Sequence, residues 1–120
     1  YDYAADGSKR LWSGLREHFA PKAEQPSVES VMKRYVFAQC LETARAIEEG
    51  IITSPEDCDV GAILAWGFPA FTGGPCSYMD TYGLAKFVAD ADALAAAHGK
   101  RFAPPQLLRD MAASGKTFYA

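Results

Sequence analysis

The side chains able to do covalent or acid–base chemistry are few: Cys40, Cys58 and Cys76, His18 and His98, and the carboxylates Glu48, Glu49, Glu56, Asp57 and Asp59. Cys40 falls on an apolar stripe, where a thiol acts as a small core residue. Cys58 follows two acids, which disfavour a thiolate. Cys76 is the best-placed nucleophile, beside Gly74-Pro75 at a helix start, but no histidine is near it in sequence. Core or loop packing is therefore expected for it. His18 reads as an exposed arm residue without the buried partner that acid–base work requires. His98 sits where the last turn of a helix favours a partly protonated imidazole. The acids cluster around two helix ends, and solvated faces and caps account for them. No catalytic set is expected, and no metal site, since neither a CxxC pair nor a Cys/His cluster occurs.

Phosphate-binding loops are the next class to consider. Neither GxGxxG nor GxxxxGK[ST] occurs, and no strand precedes such a loop. The nearest substitute is Thr72-Gly73-Gly74-Pro75, so Thr72, Gly73 and Gly74 are the candidate substrate-binding residues, their N–H groups free to face an anion at a helix start. A second reading is preferred. No Lys or Arg stands between Gly67 and Asp80 to supply charge, and glycines there would instead let the loop turn tightly and another backbone approach closely.

The elements that must position these residues are helical. Ser27 caps a long helix opening at Val28-Glu29 and running to Glu49, with Gly50 as its stop. Val28, Met32, Val36, Cys40, Ala44 and Ile47 form one stripe, while Phe37 and Leu41 fall on another side, so the helix needs cover from two directions. Ser54-Pro55-Glu56-Asp57 is a strong helix start. That helix is expected to carry Val60, Ile63 and Leu64 inward and to end near Trp66-Gly67. The Gly- and Pro-rich segment 67–75 is irregular, and Pro75 opens a further helical turn that stops near Gly83. Leu84, Phe87, Val88, Ala91, Leu94 and Ala95 mark a helix from Leu84 to His98, stopped by Gly99. Pro104-Pro105 starts a last helix with Leu107, Leu108 and Met111, ending at Gly115. No segment shows the alternation of a strand, so the fold class is all-α. Residues 1–26 read as an extended arm docking through Leu11, Trp12 and Leu15.

Composition bounds the function. With 120 residues, 49% hydrophobic and 22% charged, the chain can bury a core and is not a disordered tail. Twelve Lys+Arg against fifteen Asp+Glu leave a net charge of -3, without the basic excess of a nucleic-acid binder. No apolar run nears the roughly 20 residues of a membrane span. Three cysteines without a disulfide pattern suit a reducing, cytoplasmic setting. A start at Tyr1 without an initiator Met suggests a trimmed fragment.

Several segments together resemble a known family. They are Glu48-Glu49-Gly50, Ser54-Pro55-Glu56-Asp57, Asp59-Val60-Gly61, Trp66-Gly67-Phe68-Pro69, and Phe71-Thr72-Gly73-Gly74-Pro75 with Tyr78 and Asp80. The tail from Gly99 through Phe102-Ala103-Pro104-Pro105 to Leu107-Leu108 and Gly115 continues the pattern. Over residues 27–119 the sequence resembles the last helical domain of the multifunctional fatty-acid β-oxidation enzymes, which carry enoyl-CoA hydratase and NAD-dependent 3-hydroxyacyl-CoA dehydrogenase activities on one chain.

The resemblance implies an all-α domain like the C-terminal domain of 6-phosphogluconate dehydrogenase. It implies that residues 27–120 are the second C-terminal helical copy and residues 1–26 the linker. Tyr1-Asp2-Tyr3 looks like the end of the Gly-Phe-Tyr-x-Tyr segment closing the preceding copy. The dinucleotide fingerprint and the dehydrogenase His and Glu lie upstream in that family, so no catalytic or cofactor residue is carried over and NAD belongs to the parent. The implied partners are the upstream dehydrogenase and hydratase domains. An exposed apolar patch is expected on the isolated chain, with homodimerisation as a possible consequence. Two alternatives stay open: an acyl-CoA-binding module using Thr72-Gly73-Gly74, and a free-standing enzyme pairing Cys76 with His18 or His98.

Overall fold

The computed structural model describes residues 1–119. Ala120, the last residue of the expected domain, lies outside the described residues. Two short strands, β1 (Asp2–Tyr3) and β2 (Lys9–Arg10), and one helical turn, α1 (Leu15–His18), precede the helical body. The body comprises α2 (Val28–Glu48), α3 (Pro55–Trp66), α4 (Pro75–Tyr82), α5 (Leu84–His98) and α6 (Gln106–Ser114), with 3-10 turns at Ala70–Thr72 and Lys100–Phe102. The fold is all-α, as the helical periods predict.

Helix boundaries follow local chemistry closely. The Ser27 hydroxyl accepts from the Ser30 N–H and the Ser54 hydroxyl from the Asp57 N–H, each at 3.1 Å, satisfying first-turn donors. Pro55 and Pro75 occupy first-turn positions where no N–H is needed. Gly67 ends α3 in the left-handed conformation, φ 74°.

Helix α4 lies at the centre, against α2, α3 and α5, while α6 closes the body against α2 and α5. Phe37 of α2 and Phe87 of α5 stack at 4.2 Å between ring centroids, and Tyr82 meets both edge-on. Leu41, Met79 and Leu108 fill the space around them and are completely buried. Such aromatic pairs add about 0.5–1.5 kcal/mol beyond the burial itself.

Three expectations are corrected. In α3, Val60 and Leu64 face solvent, Leu64 at 80% exposure, and the buried residues are Cys58, Asp59 and Ala62. The physical reason is that α3 packs on α4 through its opposite side, which bears Cys58, Asp59 and Ala62, and Gly74 lets the Asp59 backbone come close. In α2 the apolar stripe divides. Cys40 and Ala44 join Phe37 and Leu41 in the core, but Val28 and Met32 remain exposed because no element covers the first turns.

The third concerns the arm. Leu11, Trp12 and Leu15 are exposed rather than docked. The arm also contains a β1–β2 hairpin. Its turn is set by Asp6, whose carboxylate accepts from the Ser8 N–H at 2.9 Å, and by Gly7 at φ 82°. Two paired residues per strand are too few for alternation to show in a sequence.

Candidate functional site

The loop that links α3 to α4 contains the candidate residues Thr72, Gly73 and Gly74. Its donors are already committed. The N–H of Thr72 donates to Pro69 O, that of Gly73 to Ala70 O, and that of Gly74 to the Thr72 hydroxyl at 3.3 Å. At the start of α4, the N–H groups of Cys76 and Ser77 donate to the Asp59 carboxylate at 2.7 and 3.0 Å. The positive end of α4 thus holds an internal anion. These commitments leave the loop unfit for a dinucleotide pyrophosphate.

Gly74 explains how that contact is reached. At φ 115° it adopts a backbone that L side chains rarely take, and a Cβ there would stand 2.6 Å from Asp59 Cα. The close approach of a second backbone, the preferred sequence reading, is what the glycine permits.

Within the acidic cluster, read as solvated faces and caps, Asp59 is not solvated and caps α4 from a distance. It is buried, and it also accepts from the Ser77 hydroxyl at 2.7 Å and the Tyr119 hydroxyl at 2.9 Å. A buried carboxylate is tolerable when its lone pairs are filled by donors, and here four donors fill them. Burial, then the bond to Asp59, pushes the Tyr119 hydroxyl well above its ordinary pKa. Two more carboxylates act at long range. Asp80 accepts from the N–H groups of Phe118 and Tyr119, both at 3.0 Å, and Glu48 accepts from the Leu107 N–H at 2.7 Å, capping α6. Partners separated by up to 60 residues leave no local signal in sequence.

The thiols form no reactive centre. Cys40 and Cys76 are completely buried and Cys58 nearly so. Burial first, and Asp59 second, push the Cys40 and Cys76 thiols well above their ordinary range; burial also raises Cys58. His18 is exposed and stacked on Trp12, and His98 is exposed with its ring near Phe102. Neither histidine shares the buried setting of Cys76. Among the described residues, no group of three or more His, Cys, Asp or Glu is placed to hold a metal ion.

What remains is surface. A cleft of about 680 Å³ opens between the first turns of α2, the segment Phe68–Thr72 and α4, walled by Met32, Val36, Phe68, Phe71 and Tyr78. Thr72 lies on this wall. At one end Lys33 and Lys86 both contact Asp90 at 2.9 Å, and the Tyr82 hydroxyl donates to the same carboxylate at 2.5 Å. Tyr82, Lys86 and Lys33, in that order, hold the Asp90 carboxyl well below its usual range. Asp90 offsets one of the two positive charges, and Met32, Val36, Phe68, Phe71 and Tyr78 make the walls of the cleft largely apolar. Farther along α2, Ala46 together with Ile52 and Trp66, the last residue of α3, lines a smaller depression of about 240 Å³, with the Trp66 indole N–H donating to Gln39 at 3.0 Å.

Comparison with known proteins gives the family. The model of the 3-hydroxyacyl-CoA dehydrogenase C-terminal domain matches residues 30–118. The chain belongs to that family. As a 3-hydroxyacyl-CoA dehydrogenase C-terminal domain it is 52% identical over 89 residues to a fatty acid oxidation complex subunit alpha of Shewanella amazonensis, covering 74% of this chain and 13% of that protein. Proteins of the same name from Psychrobacter sp. and Acinetobacter baumannii are 43% and 44% identical over 91 residues, 76% of this chain in both cases and 12% and 13% of theirs. The chain therefore corresponds to a small part of much larger relatives. The matched region begins within α2 and leaves the arm out, while Asp59, Asp80 and the loop between α3 and α4 all fall inside it. No helix among the described residues is long and apolar enough to cross a membrane.

Proposed function

We propose that this chain is a non-catalytic domain of a larger fatty-acid β-oxidation enzyme, packing against and supporting a catalytic half that lies upstream. In this reading the parent dehydrogenates 3-hydroxyacyl-CoA with NAD bound upstream, carries enoyl-CoA hydratase activity on the same chain, and works in the cytoplasm. Residues 27–120 are the second helical copy, related in fold to the C-terminal domain of 6-phosphogluconate dehydrogenase, and residues 1–26 the linker to the first. The observation that carries the proposal is the outer surface of α2 and α3, where Tyr35, Val60, Leu64 and Trp66 are exposed. Several large apolar groups left exposed on a domain whose loop N–H groups are internally satisfied point to a covering partner. In isolation the same surface supports self-association.

The test is complementation. The upstream half of a relative is assayed for NADH-linked dehydrogenation with and without this chain. A several-fold gain on adding the chain is expected, lost with Leu64→Asp and Trp66→Asp while helicity is unchanged. An upstream half indifferent to the chain would overturn the proposal.

A second reading, an acyl-CoA-binding module at Thr72, Gly73 and Gly74, draws support from Thr72 standing on the wall of an apolar cleft. The cleft would take the acyl or pantetheine portion, since the loop amides have internal partners. Calorimetric titration of the chain with acetoacetyl-CoA, with and without NADH, separates the two. No heat supports the scaffold, and saturable binding abolished by Gly73→Trp supports the module.

A further inference from the structure

The cleft between the start of α2, Phe68–Thr72 and α4 ends in a cluster that holds more positive charge than negative. We infer that it is a binding site for an amphipathic monoanion, one apolar chain carrying one carboxylate. Such a site needs neither an upstream domain nor the amides of the Thr72-Gly73-Gly74 loop, and so goes beyond both readings above.

The polar end selects the head group. The Lys33 and Lys86 ammonium groups each stand 2.9 Å from Asp90 Oδ2, and the Tyr82 hydroxyl donates to that same oxygen. Lys86 also donates to the Tyr82 hydroxyl at 2.8 Å. Three donors thus crowd one carboxylate oxygen. Each ammonium has three N–H groups, so the pair keeps donors to spare, and a single carboxylate leaves one positive charge over. The two lysines come from different helices, α2 and α5, and both line the cleft. A second carboxylate entering there would supply the acceptor and the charge that the cluster lacks. Glu29 is an acid on the lining itself. It sits one turn before Lys33, in the first turn of α2, where the positive end of the helix offsets it. One charge in surplus suits a carboxylate better than a phosphate, which carries nearly two.

The apolar walls select the rest of the ligand. Phe68 is buried, Val36 and Tyr78 are half-buried, and Met32 and Phe71 are exposed. The volume of about 680 Å³ lies within the roughly 300–1,000 Å³ of small-molecule sites. A hydrocarbon chain laid along these walls would withdraw Met32 and Phe71 from water, and the flexible Met32 side chain can adapt to it. Neither half suffices alone. Both lysines are partly in solvent, where an ion pair by itself gains little, and a neutral chain would leave the surplus charge unmatched.

Dodecanoate, held below its micelle concentration, is titrated into the chain by calorimetry at about pH 8, where its carboxylate is ionised. Saturable binding of one dodecanoate per chain is expected. Dodecyltrimethylammonium has the same tail and the opposite head, butanoate the same head and almost no tail, and neither should saturate. Lys86→Gln should weaken dodecanoate several-fold and Phe71→Asp more, with helicity by circular dichroism unchanged. Both side chains are exposed; should Phe71→Asp nevertheless unfold the body, Met32→Asp takes its place. Equal affinity for the two amphiphiles, or dodecanoate binding insensitive to both Lys86→Gln and Lys33→Gln, would overturn the site. Absence of dodecanoate binding would overturn it too. If that chain then sediments as a dimer dissolved by Phe71→Asp, the cleft belongs to a second copy. Saturable acetoacetyl-CoA binding without dodecanoate binding would overturn this site and leave the loop module standing.

Discussion

In the helical body Phe37, Leu41, Met79, Phe87 and Leu108 are wholly buried, whereas in the arm Tyr1, Tyr3, Leu11 and Phe19 are exposed. Both regions are rich in large apolar side chains and both contain local turns with well-formed hydrogen bonds. The difference lies in what returns from distant sequence. In the body, α4, α5 and α6 bring partners to α2, and Asp59, Asp80 and Glu48 fasten those partners by their backbone N–H groups. Among the described residues no such bond reaches the arm. Residue type supplies the free energy of burial, but long-range fastening decides which residues collect it.

The largest effect should come from breaking the body where its layers meet. Phe37→Ala removes the stack on Phe87 and the edge contact with Tyr82, leaving a cavity that only partly relaxes. A loss of about 3–5 kcal/mol is expected in urea unfolding, with the midpoint lowered and the slope unchanged. A cost below roughly 1 kcal/mol would mean the stacked core is not what distinguishes body from arm.

Next comes the fastening itself. Asp59→Ala leaves the Cys76 and Ser77 N–H groups and the Tyr119 hydroxyl without their shared acceptor. Leaving buried donors unsatisfied should cost about 3 kcal/mol. Amide exchange should accelerate at Cys76 and Ser77 before the rest of the body. Exchange rising uniformly instead would show Asp59 to be filler rather than a cap for α4.

Much of this body is legible in sequence, and the failures are instructive. Ser54-Pro55, Pro75, Gly83 and Gly99 mark boundaries because capping is decided within a few residues. The core face of α5 is legible because Leu84, Phe87 and Ala91 repeat at the helical period. Val60 and Leu64 mislead because they are apolar at the right spacing on a helix whose opposite side does the packing. Asp59 is invisible because its partners lie 17, 18 and 60 residues away, and an acid after a helix start resembles any other first-turn carboxylate. At the candidate site, the competing demand for close approach at Gly74 was readable, but the anion that fills the helix start was not. Recognition of the family reached further than the residues did, since it carries long-range packing that no window of the sequence contains.

A smaller effect tests local capping against the long-range kind. Ser54→Ala removes one hydroxyl acceptor from the Asp57 N–H, at an exposed helix start where water can substitute. About 1 kcal/mol should be lost, a fraction of the Asp59 cost, although each side chain caps one helix. Equal costs would remove the distinction, since burial of the donors is the variable that separates them.

The smallest effect belongs to the arm, and it makes the comparison sharpest. Deleting residues 1–19 removes the hairpin and α1 but no residue of the core cluster. With no hydrogen bond to the body to lose among the described residues, the thermal midpoint should move by no more than a surface substitution would, within about 0.5 kcal/mol. Binding of an apolar dye to the same deletion should not rise, because the deletion takes away the exposed Leu11, Trp12 and Phe19 and uncovers no core residue. A large drop in midpoint, or a rise in dye binding, would show that the arm is a packed part of the fold. Only a fold that stands without the arm, its core as covered as before, keeps the body and the arm as different kinds of structure.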